Sequence, residues 1–234
     1  MPTTTPPFEF EFKRRNLRQY SFEAIPSGGI LTAGANRALN VPMLTLDTAA
    51  IVGPERIAES CEVILAPIYK GTATSLWGAP WIVSAHMVIQ LSANPVGLNS
   101  VCGIELGSSG TTFSTTGVPA TGLIRLYANL SDNTWNLQGF NGLGGTVGVN
   151  WTGANPPFEA SAYRLTIFYV PGQYVRAAIN GIVESTITAA GGVPGTTTTQ
   201  NGTATAGVFV NSFTVADQTK CQFHNLAVET LGFP

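Results

Sequence analysis

Short runs with a two-residue hydrophobic period recur along the chain, each closed by Gly, Pro, Asn or Ser. Such a run marks a half-buried strand, because successive side chains point to opposite faces of a sheet. The pattern predicts strands near 41–47 (VPMLTLD), 61–69 (CEVILAPIY), 81–91 (WIVSAHMVIQL), 101–107 (VCGIELG), 123–129 (LIRLYAN) and 134–140 (TWNLQGF). It continues near 145–151 (GTVGVNW), 162–170 (AYRLTIFYV), 173–179 (QYVRAAI), 182–188 (IVESTIT), 206–213 and 220–230. Only GPERIAESC, residues 53–61, reads as a helical turn. Strands do not alternate with helices, which disfavours a parallel-sheet enzyme fold. The expectation is an all-β, antiparallel sandwich or barrel.

The segment YRLTIFYVPGQYVRAAINGIVESTIT, residues 163–188, predicts three consecutive antiparallel strands. In VPGQ, Pro171 presets φ and Gly172 takes the positive φ of a type II turn. In INGI, Asn180 and Gly181 supply the two positive φ angles of a type I′ hairpin. Tyr163, Leu165, Ile167 and Tyr169 share one face of the first strand, and Arg164, Thr166 and Phe168 the other. Both faces are substantially apolar, which suits a central strand.

Residues 1–24 read as an extended N-terminal arm ahead of a sandwich domain over 25–234. The prolines of PTTTPP lack the amide donor that a helix or an inner strand requires. FEFEF then alternates Phe8, Phe10 and Phe12 with Glu9 and Glu11, and KRRNLR brings Lys13, Arg14 and Arg15. An aromatic strand with a basic tail suits addition to a sheet edge, either of a neighbouring subunit or of its own domain.

Charge narrows the function classes. Charged residues make up 10% of the chain and the net charge is −2. Between Lys70 and Lys220 they are Glu105, Arg125, Asp132, Glu159, Arg164, Arg176, Glu184 and Asp217. No basic stripe predicts counterion release from nucleic acid or attraction to an acidic membrane. A weakly charged exterior rich in Thr, Ser, Asn, Gln and Gly fits a protein packed against others. No apolar run of membrane-spanning length and no basic-then-apolar leader is seen, so synthesis in a cytosol is expected. Cys61, Cys102 and Cys221 are odd in number and widely spaced, which predicts buried free thiols rather than a disulfide framework or a zinc site.

Candidate chemistry is sparse. His86 and His224 each stand alone in an apolar strand, the usual setting of a structural histidine, and no G-x-S-x-G elbow supports a nucleophile. GFNGLGGTVG at 139–148 is followed by a strand rather than a helix, so it reads as a hairpin tip and not a phosphate cradle. Trp77, Trp81, Trp135 and Trp151, with Tyr127 and Phe140, are core candidates first and stacking candidates second. Trp135, flanked by Asn133 and Asn136, is the one most expected at the surface, where it would form a glycan platform. The polar excursion GGVPGTTTTQNGTAT, 191–205, is long enough to suggest a contact with another subunit.

The run from Tyr163 to Thr188, followed by AGVFVNSFTVADQTKCQFHNLAVETL at 206–231, resembles the C-terminal half of concanavalin A-like or laminin G-like jelly rolls. The similarity extends less specifically over residues 60–231 and implies a jelly-roll sandwich. Lectins of that superfamily hold calcium and a transition metal with acidic residues, Asn and His. Asp132 with Asn133 and Asn136 is the nearest approach here, and it lacks partners. The E-x-D-x-x-E arrangement of the family's hydrolases is absent, which puts a catalytic role in doubt.

Fold and function are separable. The expected function is a non-enzymatic virion structural protein, with no cofactor and no metal. The best-fitting role is a bacteriophage capsid decoration (cement) protein on the capsid surface. Its expected partners are the major capsid protein and copies of itself, in closed symmetry such as a trimer. The alternative is a carbohydrate-binding module of a phage tail fibre or tail tip, centred on Trp135.

Overall fold

Two tight turns organise the middle of the chain. In the computed structural model Gly172 has φ 63°, and the Gln173 amide donates to the Val170 carbonyl at 3.1 Å. Asn180 and Gly181 have φ 52° and 84°, the pair of positive values that a two-residue hairpin demands. The structure describes residues 15–19, 30–32, 43–47, 57–65, 76–78, 80–91, 100–108, 122–154, 156–157, 161–195, 204–212 and 219–231.

These residues form strands β1 (Arg15–Gln19), β2 (Ile30–Thr32), β3 (Met43–Asp47), β4 (Ile57–Leu65), β5 (Trp81–Leu91), β6 (Ser100–Ser108) and β7 (Gly122–Asn129). They continue with β8 (Thr134–Asn141), β9 (Thr146–Trp151), β10 (Ala162–Val170), β11 (Tyr174–Ile179), β12 (Ile182–Ile187), β13 (Ala204–Ser212) and β14 (Thr219–Leu231). A short 3-10 turn covers Leu76–Gly78.

The first sheet runs β12-β11-β10-β5-β14-β3-β2, with β1 also on β14, and the second runs β4-β13-β6-β7-β8-β9. All described pairings are antiparallel. β10 lies inside the first sheet between β5 and β11, as its two apolar faces require.

The sheets meet over one hydrophobic core. β5 contributes Trp81, Val83, Ala85, Met87 and Ile89, and β10 contributes Leu165, Ile167 and Tyr169. Ile104 and Leu106 of β6, Ile124 and Leu126 of β7, and Trp135 and Leu137 of β8 answer them from the second sheet. Each such side chain contributes about 1.5–3 kcal/mol by leaving water, so the period-two pattern fixes which face of every strand turns inward. The Tyr169 hydroxyl reaches the Trp77 and Pro194 carbonyls at 2.8 and 2.9 Å, and burial pushes its pKa upward.

Several expectations need correction. Residues 53–61 were expected to form a helical turn, but Ile57–Leu65 is strand β4, paired along its whole length with β13. Long-range pairing overrides the local helical signal there. The short strands β1 and β2 escaped the periodicity. β1 pairs with β14 of the same chain, Arg15 opposite Leu231, so this part of the arm belongs to its own sheet. Gly192, Val193 and Pro194, the start of the 191–205 excursion, are buried in their own fold, Val193 within the core. Residues 196–203 lie outside the described residues.

Candidate functional site

β8 reads Thr134, Trp135, Asn136, Leu137, Gln138, with alternate residues on alternate faces. That parity sends Trp135 inward beside Leu137. Its side chain is 0% exposed and packs edge-on against Tyr163, ring centroids 5.1 Å apart. Trp135 is therefore a core residue and cannot serve as a glycan platform. The neighbouring Asn and Gln that suggested exposure occupy the opposite face. Asn136 is half-buried on that face, its amide donating to the Thr134 hydroxyl at 3.3 Å. Asn133 is exposed in the β7–β8 turn with φ 53°. The three residues do not converge on one surface. Of the arm residues, Phe8, Phe10, Phe12, Lys13 and Arg14 lie outside the described residues.

The outer face of the second sheet holds a charge pair that the sequence did not announce. Glu105 of β6 and Arg125 of β7 stand directly opposite in register, and Arg125 Nε donates to Glu105 Oε2 at 3.0 Å. Both are buried, Arg125 completely. Burial raises the Glu105 pKa, and the adjacent guanidinium works against that rise. Around them lie Leu123, Phe140 and the small cluster of Val101, Tyr127 and Phe209, with the Arg125 guanidinium 5.9 Å from the centre of the Phe140 ring. Tyr127 is pushed up to about 12, chiefly by burial. The pair therefore sits in an apolar layer and serves the fold.

The other described carboxylates also have structural contacts. Glu184 Oε2 accepts from Trp151 Nε1 at 2.7 Å, joining β12 to β9 across the side of the sandwich. Asp132 accepts from the Thr134 hydroxyl at 2.7 Å within the turn. Among the described residues no group of three metal-ligating side chains gathers. Cys102 and Cys221 are buried free thiols.

Two surface features remain. β12 ends the first sheet and, among the described strands, pairs with β11 alone. It exposes Ile182 and Val183 by 55% and 52%, large values for aliphatic residues. The second feature runs across the outer face of the same sheet, where Arg164 of β10 lies opposite His86 of β5, and His86 opposite His224 of β14. Burial first, and the charge on His86 second, lower the His224 pKa. Each histidine, expected from the sequence to be a lone structural residue of an apolar strand, lies on the face opposite the core, and their meeting depends on a long-range register that the sequence does not reveal.

No protein-family model matches the chain, and no curated protein matches it either. Solved structures do. An endo-1,3-β-glucanase from Streptomyces sioyaensis superimposes with TM-score 0.54 at 13% identity, over 93% of this chain and 90% of that one. Alginate lyase A1-II′, of polysaccharide lyase family 7, gives 0.53 at 9% identity over 87% and 84%. Botulinum neurotoxin type C, whose cell entry depends on two ganglioside molecules, gives 0.52 at 12% identity. There the match takes 92% of this chain but spans only 42% of the toxin chain. The fold thus serves enzymes and binding proteins alike. What these likenesses establish is architecture alone: the chain is a jelly-roll β-sandwich.

Proposed function

We propose that this chain is a non-enzymatic structural protein of a virus particle, a bacteriophage capsid decoration protein that cements the shell. The observation that carries the reading is β12: an edge strand with two adjacent exposed aliphatic residues, Ile182 and Val183, on a body with only 10% charged residues. An unprotected edge of this kind is a template for pairing with another chain, and proteins that avoid partners blunt it with charge or proline. β12 carries Glu184 alone, and that carboxylate is taken up by Trp151. The partners are the major capsid protein and further copies of this chain, on the capsid surface. The segment 8–14, ahead of β1, supplies a second contact through its aromatic and basic residues.

Cosedimentation with shells lacking the protein tests this. The intact chain should pellet with shells at a fixed ratio, and removal of residues 1–14, ahead of β1, should abolish pelleting while the far-ultraviolet spectrum stays unchanged. Equal pelleting of the shortened chain would remove the arm from the proposal. Failure of the intact chain to pellet would remove the proposal itself. A sugar platform at Trp135 forms no part of this reading, because its indole is in the core.

A further inference from the structure

We propose that the outer face of the first sheet carries an oxyanion-binding site, in which Arg164, His86 and the Asn180 side-chain amide hold a carboxylate or sulfate group. The site is a hollow of about 320 Å³ lined by His86, Ala162, Tyr163, Arg164, Asn180 and Gly181. That volume suits a ligand the size of a single sugar ring, at the small end of ligand pockets.

The lining is built of donors. A guanidinium has no acceptor atom. The Asn180 side-chain oxygen is occupied by the Arg164 main-chain amide at 2.8 Å, and the Asn180 main-chain amide in turn donates to the Arg164 carbonyl at 2.8 Å. With its oxygen fixed in this way, Asn180 offers its NH₂ group to the hollow. The Tyr163 side chain turns away to the core face, its ring edge-on to Trp135 and its hydroxyl donating to the Pro156 carbonyl at 2.7 Å. Gly181 keeps the rim open, with nothing within 4 Å of the place a Cβ would occupy.

The charges point the same way. Arg164 is exposed and forms no ion pair with a described residue. The groups facing His86 from its two neighbouring strands are Arg164 on β10 and His224 on β14. Farther along β14, Glu229 lies opposite Ile82 and Lys220 opposite Gln90, so no described carboxylate interrupts the row. A chain so poor in charge thus lines up three groups able to carry a positive charge with no counterion among the described residues of the row. Guanidinium and carboxylate pair through two parallel hydrogen bonds, which makes a carboxylate the natural occupant of such a row. Charging of the His224 ring on acidification adds a positive charge next to His86 in this row.

Nuclear magnetic resonance titration of the intact chain tests the proposal, with methyl glucuronide, sodium sulfate and neutral methyl glucoside as probes. It is run at about pH 5.5 and about pH 7.5, either side of the ordinary histidine range. We expect saturable shifts of His86 and its neighbours with the glucuronide, tighter at the lower pH, and about tenfold weaker in Arg164→Gln. Bound anion should also raise the pH at which the His224 ring titrates, by linkage. Sulfate binding as tightly as glucuronide would support a site for the bare oxyanion. Glucuronide binding alone would support one for an acidic saccharide. No saturable shift at tens of millimolar, equal binding of the glucoside, or unchanged affinity in Arg164→Gln would each overturn the proposal. Arg164→Gln keeps the hairpin, because Asn180 holds the main chain of residue 164 and not its side chain.

Discussion

Replacing Arg125 by Met probes the buried charge pair of the second sheet. The substitution keeps length and apolar contact but removes the charge that faces Glu105 at 3.0 Å. Arg125 is wholly buried and Glu105 nearly so, so the orphaned carboxylate must either stay ionised in an apolar layer or take up a proton. Breaking a buried pair from one side costs about 3–5 kcal/mol. Loss of the guanidinium over Phe140 adds to that cost and takes its sign. For a chain of this size the change lowers the melting temperature by roughly 6–20 °C. Replacing both partners, as Glu105→Leu with Arg125→Met, removes the desolvation of both charges and should return most of the lost stability.

Urea unfolding followed by tryptophan fluorescence measures the two single variants, Arg125→Met and Glu105→Leu, and the double variant against the wild type. The slope with denaturant should stay constant, so that the midpoint reports stability. A single Arg125→Met variant within about 1 kcal/mol of the wild type would refute the buried-pair account, since that is the range of an exposed pair. A double variant as unstable as the sum of the two singles would refute it as well, because partners in contact are not additive.

Other expected outcomes follow from single contacts. Tyr127 keeps its proton in the fold up to about pH 12 against 10.0 when unfolded. The unfolded chain therefore loses that proton first, and stability present below pH 10.0 falls by up to ~2.7 kcal/mol as the pH rises through this window. Tyr127→Phe should flatten that slope in alkaline unfolding curves. Gly139→Ala would drive a methyl group into the Gly192 carbonyl oxygen, where the β8–β9 hairpin meets the turn after β12. It should cost about 1–3 kcal/mol in thermal melts, whereas Gly148→Ala, with only the Gln138 side chain nearby, should be close to silent. Val183→Lys places a charge on the exposed β12 edge and should weaken shell binding and self-association in sedimentation velocity while leaving the melting temperature unchanged.

What could be read from the sequence was what is local. The Pro171–Gly172 and Asn180–Gly181 turns, the strands they join and the inward faces of β5 and β10 all follow from one or two residues, or from a period of two. The polar neighbours of Trp135 suggest exposure, but they lie on the opposite face of β8, and Trp135 shares the inward face with Leu137. β4 was misread because its strand state comes from β13, more than a hundred positions away, and β1 because a short polar run becomes a strand only when β14 receives it. The Glu105–Arg125 pair and the Arg164–His86–His224 row share a further reason. Each member sits in a strand that reads as apolar, and only the register between strands brings it to its partner.

The mass of the purified chain, alone and mixed with shells lacking it, tests the central proposal most directly. Light scattering combined with sedimentation should show self-association through the β12 edge and a fixed number of copies added per shell, with both weakened in Val183→Lys. A monomer that leaves the mass of the shells unchanged would contradict the account.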